Sequence, residues 1–192
     1  MYRAADGDAG RIPWARLEPL PQLVRWLDDR PPPPGTLALV VACGLGDDAE
    51  ELAGRGCAVT AFDVSPAAIA WARARFPRSV VDYLVADLLA PPAAWARAFG
   101  VVVENRTIQS LAPEHHAPAA AAIAGTVAPG GALFVYATAR PPGPRRPGPP
   151  WLLDRDVLRA FEGAGLRETA FAEEPDPQRG LLTFRAAYER DP

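Results

Sequence analysis

Residues 37–63, LALVVACGLGDDAEELAGRGCAVTAFD, constrain this chain most. They set an unbroken apolar run, two spaced glycines, a helix start and a second apolar run that closes on a carboxylate. The run Leu37–Ala42 predicts a strand buried on both faces. Gly44 and Gly46 allow the turn after it to bring bare backbone against a ligand, and Asp48–Leu52 opens a helix. A second strand over Ala58–Phe62 ends at Asp63, nineteen residues past Gly44, where a carboxylate in this half-fold accepts from ribose hydroxyls. Gly44, Gly46 and Ala49 satisfy the G-x-G-x-x-G/A spacing, so on these residues alone a nicotinamide dinucleotide and S-adenosylmethionine fit equally well.

The remainder of the chain narrows that choice. At 192 residues there is room for one α/β domain with a full core, and not for a dinucleotide domain plus a separate catalytic one. All 20 basic residues are arginine. Without lysine the chain lacks the P-loop lysine, Schiff-base chemistry and the Tyr-x-x-x-Lys pair of short-chain dehydrogenases. With 38 alanines, 23 prolines and one asparagine, the composition carries a high-GC coding bias, as in many actinobacteria. A net charge of -3 provides no general basic face, which argues against nucleic acid as a partner. No apolar run approaches the roughly 20 residues that span a bilayer, and MYRAADGDAG has no signal-type apolar region, so no membrane is expected and the location expected is cytoplasmic. Cys43 and Cys57 are expected as reduced thiols, and no Cys/His cluster has zinc spacing. Nothing in the sequence specifies an oligomeric state.

Along the chain, Leu20, Leu23, Val24 and Leu27 fall at helical spacing, and PPPPG at 31–35 stops that helix. A third strand is expected over Val80–Ala86, closing on Asp87, and a fourth over Val101–Val103, closing on Glu104. His116–Val127 reads as a helix ended by APGG, followed by a fifth strand over Ala132–Ala137. RPPGPRRPGPPW at 140–151 is too proline-rich for helix or central strand. Leu152–Ala164 is expected as a helix with Asp154 as N-cap and Gly165 as its stop, and DPQRG joins two closing strands, Leu166–Phe171 and Leu181–Tyr188. The fold class expected is α/β: a single Rossmann-like, doubly wound sheet of seven mostly parallel strands with an antiparallel C-terminal edge. Residues 1–192 read as one domain, with 1–36 an N-terminal cap helix region and 140–151 a proline-rich lid loop.

Asp63, Asp87 and Glu104 thus close consecutive strands, where such sheets bind ligands. With them stand Pro13-Trp14, ADLL at 86–89, the APGG turn and Gly148-Pro149-Pro150-Trp151. On these residues the chain resembles the class I S-adenosylmethionine-dependent methyltransferases over nearly its whole length, and within them the branch of thiopurine, thiol and halide methyltransferases. Most class I members carry an acidic residue within the first strand; that branch lacks it, and the position here is Val40.

The resemblance implies S-adenosylmethionine as cofactor, with Ala42, Cys43, Gly44 and Gly46 under its methionine part, Asp63 on both ribose hydroxyls and Val64 on adenine. Asp87 would accept from the adenine amino group with Leu88 beside it, and Glu104 would sit below the methionyl amine or sulfonium. Trp14 and Trp151 would close the pocket, or serve as core and lid packing. The branch often follows its fourth strand with Asp-Arg. Here Glu104-Asn105-Arg106 moves the guanidinium on by one residue, leaving Arg106 and Gln109 as candidate substrate ligands beside Thr107 and Ser110.

Glu104 is the candidate catalytic residue, either steadying the sulfonium or taking an acceptor proton. His115 and His116 are alternative bases or a solvated turn, and Arg145 and Arg146 either bind an anionic substrate or keep their loop solvated. The function implied is methyl transfer to a small-molecule acceptor through a sulfur, nitrogen, oxygen or halide nucleophile, with no metal. The alternatives are a nicotinamide-dependent oxidoreductase and a non-catalytic cofactor-binding protein.

Overall fold

A computed structural model describes residues 12, 15–143, 148–176 and 180–192. The chain divides into two compact units, Met1–Asp87 and Leu88–Pro192.

The first unit alternates helix and strand: α1 Pro21–Asp29, β1 Leu37–Val41, α2 Asp47–Gly54, β2 Ala58–Asp63, α3 Pro66–Arg75 and β3 Asp82–Val85. The strands are parallel in the order β3-β2-β1, with Val41 beside Phe62 and Asp63 beside Val85. α1 buries Leu23, Trp26 and Leu27, and its stop before the prolines follows from their missing N–H groups. Leu20, at its N-cap, donates its N–H to Asp48 Oδ1 at 2.8 Å and so ties α1 to the start of α2.

α3 occupies a stretch that periodicity leaves unmarked. Its buried side chains are Ala68, Ile69 and Ala72, mostly too small to write an apolar face into the sequence, and Ser65 starts it by accepting from the Ala68 amide. β3 is shorter than its apolar run at both ends. Val80 is exposed, and the Val81 N–H is held by Ser79 Oγ at 3.0 Å in the preceding turn.

The second unit contains β4 Phe99–Asn105, α4 His116–Thr126, β5 Val127–Thr138, α5 Arg155–Leu158, α6 Ala160–Gly163, β6 Arg167–Asp176 and β7 Leu181–Glu189. Its strands are ordered β4-β5-β7-β6, parallel between β4 and β5 and antiparallel in both later pairs. The seven strands have the mostly parallel character and antiparallel C-terminal pair that the alternation predicts.

Three local expectations are corrected. α4 stops at Thr126, and Ala128–Gly131 form an irregularity inside β5, where the register jumps from Phe99 beside Val127 to Val101 beside Ala132. The helix expected over 152–164 is two single turns that meet at Arg159. Asp154 makes no cap bond there; its carboxylate accepts from Arg140 Nε at 2.7 Å instead. β6 runs on to Asp176, because its acidic residues belong to an edge strand where charge is tolerated: Glu174 pairs across to Arg185 at 2.7 Å. The turn at DPQRG is bracketed by a Gly180 N–H to Asp176 carbonyl bond of 2.9 Å, residues 177–179 lying outside the described set.

Candidate functional site

In the first unit the site is a turn built from left-handed residues. After β1, Ala42 has φ 48°, Gly44 55° and Gly46 92°. The alanine adopts this region at a cost of roughly 1 kcal/mol, a strain of the kind that collects at binding sites. The turn is fastened to β2. Cys43 N–H donates to the Phe62 carbonyl at 2.8 Å, and Gly44 N–H donates to Asp63 Oδ2 at 3.1 Å. Asp63 Oδ1 accepts from Ser65 N–H at 2.8 Å. Each carboxylate oxygen therefore holds one backbone amide and keeps a second lone pair. Burial raises the Asp63 pKa, and the Ser65 and Gly44 amides offset part of that rise.

Val64 is 70% exposed directly after Asp63, Asp87 is exposed and Leu88, which opens the second unit, is buried. Cys43 and Cys57 are both free thiols. Burial, then the neighbouring Asp63, pushes the Cys43 thiol far up, which removes it as a nucleophile. Leu45, within the turn, packs against Ile12, with Ala15 and Trp71 beside them. Pro13 and Trp14 lie outside the described residues.

Gly46 has a second reason to be glycine that its spacing does not reveal. A β-carbon there would meet the Tyr83 hydroxyl, which donates to Glu50 Oε1 at 2.7 Å. Gly46→Ala is therefore expected to cost about 2–4 kcal/mol in urea unfolding, from the left-handed backbone and the collision together. Adding Tyr83→Phe should return part of it, because the colliding oxygen is gone. No recovery in the double variant would place the whole cost on the backbone.

α2 is fixed independently by its first residue. Asp47 takes both arms of Arg75, at 2.7 and 2.8 Å, and the same guanidinium donates to the Leu45 carbonyl at 2.6 Å. Such a bidentate pair, half withdrawn from water, stiffens the turn that precedes it. Asp47→Asn is expected to lower stability by about 1 kcal/mol or more, measured by urea unfolding, since Arg75 keeps its charge and loses its fork partner.

In the second unit the candidates cluster after β4. Glu104 is wholly buried. Its Oε1 accepts from the Thr107 and Ile108 amides at 2.6 and 3.0 Å, capping the short turn Ile108–Ser110, while Oε2 has no hydrogen-bond partner. Burial lifts its pKa to about 7, with the Ile108 and Thr107 amides, the Arg106 charge and the Tyr136 backbone pulling the other way. That is the range suited to a proton acceptor near neutrality.

The neighbouring polar side chains are committed within the protein. Gln109 is buried, with Oε1 accepting from the Thr138 amide at 2.6 Å. Its carbonyl accepts from the Trp151 N–H at 2.7 Å, which pins half-buried Trp151 beside the turn. The Arg106 guanidinium, a candidate substrate ligand on the sequence, is ion-paired with Asp176 at 2.9 Å. His116 is buried with Nε2 against the Leu111 carbonyl at 3.0 Å, and His115 is exposed. The described ends of the 140–151 loop are joined by a bridge between Ala139 and Leu153, and Arg140 also donates to the Gly143 carbonyl at 2.8 Å. Arg145 and Arg146 lie outside the described residues.

Among the described residues no His, Cys, Asp or Glu group is arranged for a metal ion, and no helix is long and apolar enough to cross a membrane. Tyr83, Thr138 and Asp176 are the site-shaping residues that the sequence does not flag, since each meets its partner only through the fold.

A family model described as a methyltransferase domain matches residues 38–131, which hold the glycine turn, Asp63, Asp87 and Glu104. Residues 38–131 thus match a methyltransferase domain. The ubiquinone biosynthesis O-methyltransferase of Thiobacillus denitrificans (strain ATCC 25259 / T1) is 34% identical over 135 residues, 69% of this chain and 56% of that protein. The chain thus spans little more than half the length of the curated relative it matches. Two solved structures share the methyltransferase fold. One is the N-methyltransferase NodS from Bradyrhizobium japonicum WM9 in complex with S-adenosyl-L-homocysteine, with TM-score 0.75 and 22% identity over 98% of this chain and 97% of that one. The other is the 1,6-didemethyltoxoflavin-N1-methyltransferase of Burkholderia thailandensis with bound 1,6-didemethyltoxoflavin and S-adenosylhomocysteine, with TM-score 0.72 and 16% identity over 90% and 77%. Both matches run through both units.

Proposed function

We propose that this chain transfers a methyl group from S-adenosylmethionine to a small-molecule acceptor. The observation that carries the reading is the Asp63 carboxylate, buried, pinned on the Gly44 and Ser65 amides and still able to accept from two hydroxyls. These residues fit an adenosine: Asp63 takes the ribose, exposed Val64 offers an apolar face to adenine, and Asp87 and Leu88 hold its amino edge. Ala42, Cys43, Gly44 and Gly46 present backbone to the methionine part, and Trp14 covers it on the strength of the sequence resemblance.

S-adenosylmethionine supplies an already activated methyl group, so the protein needs alignment and dryness rather than a covalent intermediate. Glu104 serves the reacting end, either holding the cofactor's cationic part or accepting a proton through Oε2. Trp151 flanks the acceptor, while Gln109 and Arg106 support that side through the contacts their side chains already make.

The acceptor assigned is a soft or readily ionised nucleophile, as in the thiopurine, thiol and halide branch. Support comes from Pro13-Trp14, Gly148-Pro149-Pro150-Trp151 and the absence of an acid at Val40. Calorimetry with S-adenosylhomocysteine and NADH side by side tests the cofactor: only the former is expected to bind, and the reverse result would remove the reading. Labelled methyl transfer to a panel of thiols, amines, phenols and halides then tests the acceptor. Tight cofactor binding with no product across the panel would mark a binding protein instead.

A further inference from the structure

The end of β6 touches a strand with which it does not pair. The order β4-β5-β7-β6 puts two strands between β4 and β6. That is three spacings of about 4.8 Å each, more than an arginine side chain spans. Yet Arg106, the first residue after β4, donates to Asp176 Oδ2 at 2.9 Å where β6 ends. The end of β6 must therefore curl back across the start of β7 and the carboxyl end of β5.

The contact is built from several sides. Both side chains are withdrawn from water, 13% and 6% exposed. The Arg106 guanidinium lies over the Tyr136 ring, 4.9 Å from its centre. Its backbone is left-handed at φ 60°, with the N–H donated to the Tyr136 carbonyl at 2.7 Å. A desolvated ion pair is maintained only where its geometry is good, and strained backbone persists only where its surroundings hold it.

What the curled end brings with it is apolar. Pro175 and Leu182 stand opposite each other across β6 and β7, and Leu182 is 49% exposed. The Leu182 carbonyl accepts from Ala139 N–H at 2.9 Å, next to Thr138, whose amide is held by Gln109. Leu182 thus stands at the end of β5 beside the residues assigned above to the acceptor.

We propose that the Arg106–Asp176 pair is a latch that holds the facing residues Pro175 and Leu182, where β6 ends and β7 begins, as a wall of the acceptor side. Arg106 is then a positioning residue and not an acceptor ligand. The proposal rests on the methyl-transfer reading and adds that an acceptor with an apolar flank feels this wall, whereas a single small ion does not.

Thiophenol and iodide are the probes, with S-adenosylhomocysteine affinity measured beside them. Asp176→Asn keeps the shape and removes the charge. It is expected to raise the thiophenol KM about tenfold at nearly constant kcat, while leaving the iodide KM and cofactor affinity within about twofold. Asp176→Glu, which restores the ion pair, should bring the thiophenol KM back. Leu182→Ala, a surface change that spares the latch, should raise the thiophenol KM alone and serves if Asp176→Asn folds poorly. A pair that is only structural would lower stability with the thiophenol KM unchanged, or shift both probes alike, and either result overturns the latch. A wild-type protein that binds S-adenosylhomocysteine but methylates neither probe also overturns it, whereas failure to bind S-adenosylhomocysteine overturns the reading beneath it.

Discussion

Asp63→Ala should weaken S-adenosylhomocysteine binding by about 3 kcal/mol, on the order of a hundredfold in dissociation constant, because two charge-assisted hydrogen bonds to the ribose are lost together. The same carboxylate also accepts from Gly44 and Ser65, so the substitution leaves two amides short of a partner and lets the left-handed turn relax. A parallel loss of about 1–3 kcal/mol in urea unfolding is therefore expected. The two effects separate by measurement. Lower stability with an unchanged dissociation constant would make Asp63 only the staple of the glycine turn. Its raised pKa adds a pH signature: cofactor affinity should fall as pH drops through that value, because the protonated carboxyl loses both its charge and acceptor capacity.

Asp63 is legible in the sequence because everything that defines it is local: two largely buried parallel strands write apolar runs, and the carboxylate follows the glycines at a fixed distance along one chain segment. Glu104 is legible for the same reason, as the first carboxylate after such a run. Where burial is carried by small side chains the signal fades, and α3 hides behind Ala68 and Ala72. Composition also misleads at edges. Val80 is hydrophobic yet exposed in a turn, whereas Glu173 and Glu174 look like loop and lie in β6.

The harder residues are those whose meaning is a contact. Arg106 reads as a free cation near a substrate until the fold brings Asp176 to it, seventy positions away. Gly46 reads as room for a ligand, although Tyr83 already stands where its side chain would go. Gln109 reads as a candidate substrate ligand, and nothing in the sequence shows that its Oε1 accepts from the Thr138 amide. Such pairings leave no periodicity and no short motif.

Glu104→Gln should remove a pH dependence of stability worth about 3 kcal/mol. The carboxyl rises from 4.5 to about 7 in the folded protein. Between those values the native state holds a proton that the unfolded chain has released, so stability declines as pH rises from about 4.5 to about 7 and is flat with respect to this group above it. Urea unfolding of the wild type and Glu104→Gln at pH 5 and pH 8 would expose the difference, other titrations cancelling between the two proteins. Equal slopes would mean that Glu104 is not charged and buried at high pH.

The sign carries a consequence for catalysis. A base must be deprotonated, so Glu104 takes protons only above about pH 7, the same range in which its buried charge weakens the fold. If Glu104 is the base, turnover of an acceptor that carries a removable proton should rise through about pH 7 in the wild type. Glu104→Gln should then cut that rate by roughly 10²–10⁴ with cofactor affinity unchanged. If it holds the cofactor's cationic part instead, the variant should bind S-adenosylmethionine more weakly at every pH and leave the shape of the profile alone. A variant normal in both respects leaves Glu104 with the one task already visible, capping the turn at Thr107 and Ile108, and moves the reacting end elsewhere.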